Sequence, residues 1–274
     1  MSRIIWLASY PKSGNTWMRA FLANFFSNSD APYPINELRN FTLSDTRPRF
    51  YQQISPTPIQ QLTEDQLLDL RPAAMQALAN AKPVDHFVKT HNQQLQVDRI
   101  RMIDPALSAG AIYIVRNPFD IAPSYASHYG LSIDDAISAL EDRENVVRAP
   151  DVNIVSYLGH WSDHVASWTN ERAIPHICLR YEDMLRNPKS CFGQMLRAMG
   201  VPVSDQKLTT AIRNASFKEL SAQEMRQGFE ERSDHADKFF REGRAGSGKD
   251  RLTDVQRQRI IAAHGSVMKR FGYL

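Results

Sequence analysis

Short runs of consecutive apolar residues alternate along this chain with stretches whose apolar positions recur every three or four residues. The first kind, at 3–9, 86–89, 111–115 and 176–180, predicts strands buried on both faces. The second predicts helices at about 14–27, 118–129, 132–144, 153–170, 189–199, 205–213, 216–226 and 254–270. Strands separated by helices make crossover connections rather than hairpins, so the pattern predicts an α/β fold with a central, mostly parallel sheet flanked by helices. Two segments break the alternation. Residues 30–58 carry five prolines (Pro32, Pro34, Pro48, Pro56, Pro58) among aromatic residues and read as an ordered excursion over a pocket. Residues 227–251 carry Gly228, Gly243, Gly246 and Gly248 among many charges and few apolar residues, and read as a mobile loop. No internal repeat or low-complexity tract is present.

The sharpest change of pattern comes first. The apolar run Ile4-Ile5-Trp6-Leu7-Ala8 is followed by Ser9-Tyr10-Pro11-Lys12-Ser13-Gly14-Asn15-Thr16 and then by a helical pattern from Trp17. A strand, a glycine-bearing turn and a helix start form an anion cradle. Gly14 lets the backbone approach a phosphate, the unbonded N–H groups of the first helical turn point at it, and Lys12 adds a full charge. The common phosphate loop, G-x-x-x-x-G-K-[ST], places its lysine after the second glycine. Here the lysine comes first and the hydroxyls follow.

A second strand, Ala111-Ile112-Tyr113-Ile114-Val115, ends in Arg116-Asn117-Pro118-Phe119-Asp120. Pro118 is suited to open a helix, which leaves Arg116 at the carboxyl end of a strand, where open α/β sheets bind ligands. Ser124 follows about two helical turns later, within reach of the same anion. A third strand ends in Lys89-Thr90-His91. Lys89 and His91 lie two apart on one side of extended chain, and a histidine near its ordinary pKa of about 6.5 accepts protons at neutral pH. The other seven histidines read as structural. His160 and His164 are spaced i, i+4, but Trp161-Ser162-Asp163 between them lacks the glutamate of H-E-x-x-H, and no third ligand is evident, so no metal site is expected.

Composition narrows the class. With 274 residues, 42% hydrophobic and 23% charged, the chain is read as one domain, 1–274. A net charge of +3 is too small for a general polyanion binder, so nucleic acid is not an expected partner. Cys178 and Cys191 are too few for a disulfide scaffold, and Cys178, inside a predicted strand, reads as a small buried hydrophobe in a reducing compartment. No apolar run reaches membrane-spanning length, and the N-terminus enters the first strand without room for a signal peptide, so a cytoplasmic location is expected.

The order Tyr10-Pro11-Lys12-Ser13-Gly14-Asn15-Thr16-Trp17 closely resembles the loop of the cytosolic-type sulfotransferases, which holds the 5′-phosphosulfate of PAPS (3′-phosphoadenosine 5′-phosphosulfate). Asn15 stands where that family usually has threonine. The run R-N-P-x-D-x-x-x-S at Arg116–Ser124 is similar to the family's 3′-phosphate motif, and Lys89-Thr90-His91 to its K-T-H. That likeness implies His91 as general base toward the acceptor, with Lys89 and Lys12 at the sulfuryl region. Tyr181-Glu182-Asp183-Met184 resembles the family's Y-E-D-M, whose tyrosine contacts adenosine. Ser216-Phe217 resembles its T-S-F, with Ala215 in place of the threonine, and implies that Phe217 and Trp17 cover the two faces of adenine. Phe239-Phe240-Arg241-Glu242-Gly243 resembles F-x-R-K-G, implying that Arg241 and the Gly243 N–H bind the 3′-phosphate as the loop closes over PAPS. Glu242 replaces the usual lysine and Gly248 a usual tryptophan. The family's dimerisation signature is not recognisable in 252–258, which leaves the oligomeric state open.

The resemblance covers residues 4 to about 252. It implies a P-loop nucleotide-kinase-like fold and transfer of a sulfuryl group from PAPS to a hydroxyl, less often an amine, of a small organic acceptor, releasing PAP. Residues 30–82 and the helices at 132–170 are expected to line the acceptor pocket. Two alternatives stay open at this stage: an ATP-using kinase and a non-catalytic PAP or nucleotide binder.

Overall fold

The computed structural model describes residues 2–27, 29–149, 152, 154–170 and 173–274. Its strands are β1 (Ile4–Ser9), β2 (Leu43–Ser44), β3 (His86–Thr90), β4 (Gln96–Val97), β5 (Ile100–Arg101), β6 (Ser108–Val115), β7 (Val146–Arg148), β8 (Val155–Tyr157) and β9 (His176–Arg180). Its helices are α1 (Asn15–Phe26), α2 (Leu38–Phe41), α3 (Pro48–Gln52), α4 (Glu64–Ala79), α5 (Pro118–Tyr129), α6 (Ile133–Glu141), α7 (Trp161–Asn170), α8 (Tyr181–Arg186), α9 (Pro188–Ala198), α10 (Asp205–Asn214), α11 (Phe217–Gln227) and α12 (Asp254–Arg270). The central sheet is parallel, with five strands in the order β2-β3-β1-β6-β9. All four predicted strands are in it. Ile4 of β1 aligns with His86 of β3 and Ala8 with Thr90, so both strands end together.

The chain forms two compact units. The first takes in the chain up to Tyr10, Thr42–Tyr113 and Ala139–Cys178. Its core includes the fully buried Trp6, Tyr113 and Trp168, the last two stacked with ring centroids 5.9 Å apart. The second takes in Pro11–Phe41, Ile114–Ser138 and Leu179–Leu274. There α1 turns Met18, Phe21, Leu22 and Phe25 inward, and Phe21 stacks on Phe192 of α9 at 4.0 Å. Each such buried ring is worth about 1.5–3 kcal/mol relative to an exposed one.

Three departures from the expected elements have physical causes. The helix expected over 153–170 starts only at Trp161. Val155–Tyr157 pairs instead with Val146–Arg148 as an antiparallel ribbon rich in β-branched valine, and Gly159, at φ 59°, makes the turn into the helix; position 153 lies outside the described residues. The proline-rich excursion contributes β2, the edge strand beside β3. The helix α4 was not anticipated. It starts at a capping box in which Thr63 and Gln66 bond reciprocally, but its buried face, Leu67, Arg71, Ala74, Met75 and Leu78, includes an arginine, and Pro72 lies in its interior. Both blur the apolar period.

Candidate active site

Within the second unit the loop after β1 has left-handed backbone at Lys12 (φ 68°) and Gly14 (φ 103°). Gly14 is the residue before α1 and supplies no capping side chain, so the helix opens with its first N–H groups uncapped by a side chain. A second constraint also requires glycine there: a Cβ would come 2.6 Å from Cδ2 of Tyr181. Ser13 is fully buried, and its Oγ has no hydrogen-bond partner among the described residues. Trp17, one turn into α1, meets Tyr181 and Phe192 edge to face, at 5.8 and 5.5 Å.

Arg116 ties these parts together. It donates through one guanidinium nitrogen to the carbonyl of Lys12 (2.8 Å) and through the other to the carbonyl of Arg244 (3.3 Å). Its Cζ lies over the Tyr181 ring, 4.4 Å from the ring centre. Burial pushes the Tyr181 phenol up, against the pull of Arg116. The expected helix start holds: Asn117 caps α5 by accepting from the Phe119 N–H, and Pro118 is its first residue. Ser124 lies half-buried on that helix. Ser216 caps α11, and Phe217, at its first turn, lies where a Cβ on Gly243 would fall within 2.2 Å of the ring.

The segment 227–251 has more anchors than its composition implied. Phe229, Ala236 and Phe240 are buried, and Phe229, Phe239 and Phe240 form an aromatic cluster. Lys12 Nζ lies 4.4 Å from the centre of the Phe239 ring. Two carboxylates on helices hold the backbone: Glu224 accepts from the N–H groups of Phe239 (2.6 Å) and Phe240 (3.0 Å), and Asp120 from those of Gly246 (2.8 Å) and Gly248 (2.7 Å). A Cβ at 248 would meet the Phe119 carbonyl at 2.1 Å, so the tryptophan usual there cannot fit this path. Asp120 and Glu224 were not singled out from sequence; Asp120 sat inside a recognised motif without a role. Glu242 accepts from Ser247 Oγ and pairs with Arg244 (2.9 Å) and Arg251. These contacts, the Ser247 bond foremost, hold its carboxyl below the usual range. Desolvation, then Arg251 and lastly Arg116 push the Arg241 guanidinium down, against the pull of Glu242. Mutually repelling cations around Arg241 describe a site that an anion would relieve.

In the first unit, His91 follows the end of β3. Its Nδ1 lies 2.7 Å from the carbonyl oxygen of Ser9, the last residue of β1. A carbonyl only accepts, so Nδ1 carries the proton and Nε2 the lone pair. The His91 carbonyl in turn accepts from Nε2 of His164 (3.1 Å), whose Nδ1 accepts from the Tyr113 hydroxyl (2.9 Å). Burial lowers the pKa of His164 to about 4 and keeps it neutral. Lys89 is half-buried on β3, two residues before His91.

A family model described as the sulfotransferase domain matches residues 2–272. The chain belongs to the sulfotransferase family. Sulfotransferase 1 family member D1 of Mus musculus is 27% identical to it over 262 residues, 93% of this chain and 80% of that protein. The solved structure of retinol dehydratase in complex with androsterone and inactive cofactor PAP has a TM-score of 0.65 at 18% identity, covering 97% of this chain and 80% of that one. Mouse sulfotransferase SULT7A1 complexed with PAP has 0.64 at 20% identity, covering 97% and 85%. By its family this sulfotransferase is a PAPS-dependent enzyme, and the two structures share its P-loop-like α/β fold.

The residues of this sulfotransferase fit its donor: Ser13 Oγ, the uncapped start of α1 and the cations around Arg241 all suit an anion. Among the described residues no group of three or more His, Cys, Asp and Glu is placed to hold a metal, and no helix is long and apolar enough to cross a membrane. Cys178 is half-buried rather than buried because β9 is the last strand of the sheet. Cys191 is likewise half-buried, its thiol pushed up to about 11 by burial and then by Asp183.

Proposed function

We propose that this sulfotransferase transfers its sulfuryl group in line to a hydroxyl, and less readily to an amine, of a small organic acceptor, with His91 as the general base. The observation that carries this reading is the 2.7 Å bond from His91 Nδ1–H to the Ser9 carbonyl, which leaves Nε2 to take a proton. Bound PAPS supplies a sulfuryl group on a phosphate leaving group. His91 removes the acceptor proton as the oxygen attacks. Lys12, Lys89 and the N–H groups of Gly14, Asn15 and Thr16 meet the charge that grows on the leaving oxygen, and Ser13 holds the phosphate. Arg116, Ser124, Arg241 and the Gly243 N–H bind the 3′-phosphate; Trp17, Tyr181, Ser216 and Phe217 bind the adenosine. Residues 30–82 and 132–170 face the acceptor, and the enzyme works in the cytoplasm.

His91→Ala is expected to lose about 10²–10⁴ in rate while keeping PAP affinity. Lys12→Ala should lose both turnover and donor binding, because its charge acts in the ground state and the transition state. Steady-state kinetics with PAP titration by calorimetry would check this. A loss below tenfold in His91→Ala would demote the histidine to a packing role. The 3′-phosphate assignment predicts that PAP raises the melting temperature far more than ADP does.

A further inference from the structure

His91 lies one residue beyond its strand, and the residues on both sides of it end on a single oxygen atom. Thr90 Oγ1 donates to Asp45 Oδ2 at 2.8 Å, and Asn92 Nδ2 donates to the same oxygen at 2.8 Å. The Asn92 N–H closes the loop by donating to Thr90 Oγ1 at 3.0 Å. The other ends of Asn92 are also fixed, since its side-chain oxygen accepts from the Tyr157 N–H and its carbonyl from the Trp168 indole.

Asp45 is 1% exposed and could not carry charge there alone. Arg71, equally buried, donates to Oδ2 at 2.8 Å and is itself held by the Tyr51 hydroxyl and twice by the Met102 carbonyl. Backbone bonds lock the acid in place: the Asp45 N–H reaches the Lys89 carbonyl, and the Tyr51 hydroxyl reaches the Asp45 carbonyl. A buried ion pair is a poor device for stability alone, because a well-packed apolar pair of similar volume serves as well or better. What only a carboxylate supplies here is one acceptor atom for three donors, two of them from the neighbours of His91.

We propose that Asp45, charge-balanced by Arg71, is the positioning residue of His91. It fixes the peptides on either side, so that the ring stays in the Nδ1–H tautomer on the Ser9 carbonyl and Nε2 stays aimed at the acceptor. The proposal rests on the reading of His91 as the base.

The test compares Asp45→Asn, His91→Ala and the double variant by kcat, acceptor KM and PAP affinity, with 15N-histidine NMR of the enzyme bound to PAP. Asp45→Asn should lower kcat by about 10- to 100-fold, as expected for a base displaced by a fraction of an ångström, with acceptor KM and PAP affinity within about threefold. The His91 ring should change from a single Nδ1–H tautomer to a mixture. The double variant should be no slower than His91→Ala. Full kcat in Asp45→Asn, or the same fold-loss on top of His91→Ala, would overturn the role of Asp45 while leaving that of His91 intact. His91→Ala keeping more than a tenth of the rate would remove the base and this proposal together. Should Asp45→Asn not fold, Thr90→Val removes one of the three donors. A loss of about three- to tenfold with the same mixed tautomer supports the proposal, and wild-type kcat with a single tautomer refutes it.

Discussion

Gly14 answers to two demands at once, a left-handed backbone and a tyrosine ring where a Cβ would go. Gly14→Ala should therefore cost about 1–3 kcal/mol from backbone strain alone, and displace Tyr181 from Arg116 as well. Thermal melting should show the loss, and PAP should recover less of it than in the wild type. Glu242 predicts the opposite direction. It occupies Arg244 and Arg251 and stands beside Arg241, so it competes with any anion brought there. Glu242→Gln is expected to tighten PAP binding by roughly two- to fivefold, the scale of a partly exposed charge pair; unchanged or weaker binding by calorimetry would count against that competition. The chain already displayed Gly14, Lys12 and Arg116 through local spacing. It did not display why Gly14 must be glycine, because Tyr181 lies 167 positions away and only the fold brings the ring to it.

The segment 227–251 is held at two places by side-chain carboxylates, at Phe239–Phe240 by Glu224 and at Gly246–Gly248 by Asp120. The stretch between them, 241–245, is tied by the side-chain pairs of Glu242 and by the bond from Arg116 to the Arg244 carbonyl, and is expected to be the freer part. Amide hydrogen exchange should be slow at 239, 240, 246 and 248 in the free enzyme and fast at 241–245, then slow at 241–245 once PAP is added. Equal exchange across 239–248, or no response to PAP, would refute a short closing stretch between fixed ends. Asp120→Asn should release 246–248 without releasing 239–240. Composition marked the segment correctly as glycine-rich and charged, but apolar anchoring was hidden because Phe229, Phe239 and Phe240 bury against one another. For α4, Arg71 on the buried face and Pro72 masked the apolar period, so the helix that follows the Thr63 capping box went unread.

Acid should unfold the molecule from within. His164 is fully buried and neutral, with its pKa lowered from 6.5 to about 4, and burial lowers His86 and His160 in the same direction. The unfolded chain binds these protons more readily, so stability is whole above about pH 6.5 and falls as pH drops toward 4. At 1.36 kcal/mol per pH unit the His164 contribution alone is about 3 kcal/mol, levelling off below its folded pKa. Urea titrations across that range should show the slope, and His164→Gln should flatten it; an unchanged slope would mean another group titrates. The strands β1, β3, β6 and β9 and their parallel sheet, though not their order in it, could be anticipated from the alternation of patterns, since each buried strand announces itself locally. The Asp45–Arg71–Thr90–Asn92 network could not, because it joins an excursion, a masked helix and a strand end by polar contacts that leave no periodic trace. The four tryptophans divide in a way that gives the enzyme an optical signal of its own. Trp6, Trp161 and Trp168 are sealed in the interior, while half-buried Trp17 stands at the phosphate loop with its ring against Tyr181 and Phe192. Three indoles lie out of reach of quenchers, and PAP bound at the phosphate loop is expected to change the emission of the fourth, which a fluorescence titration would read without a dye.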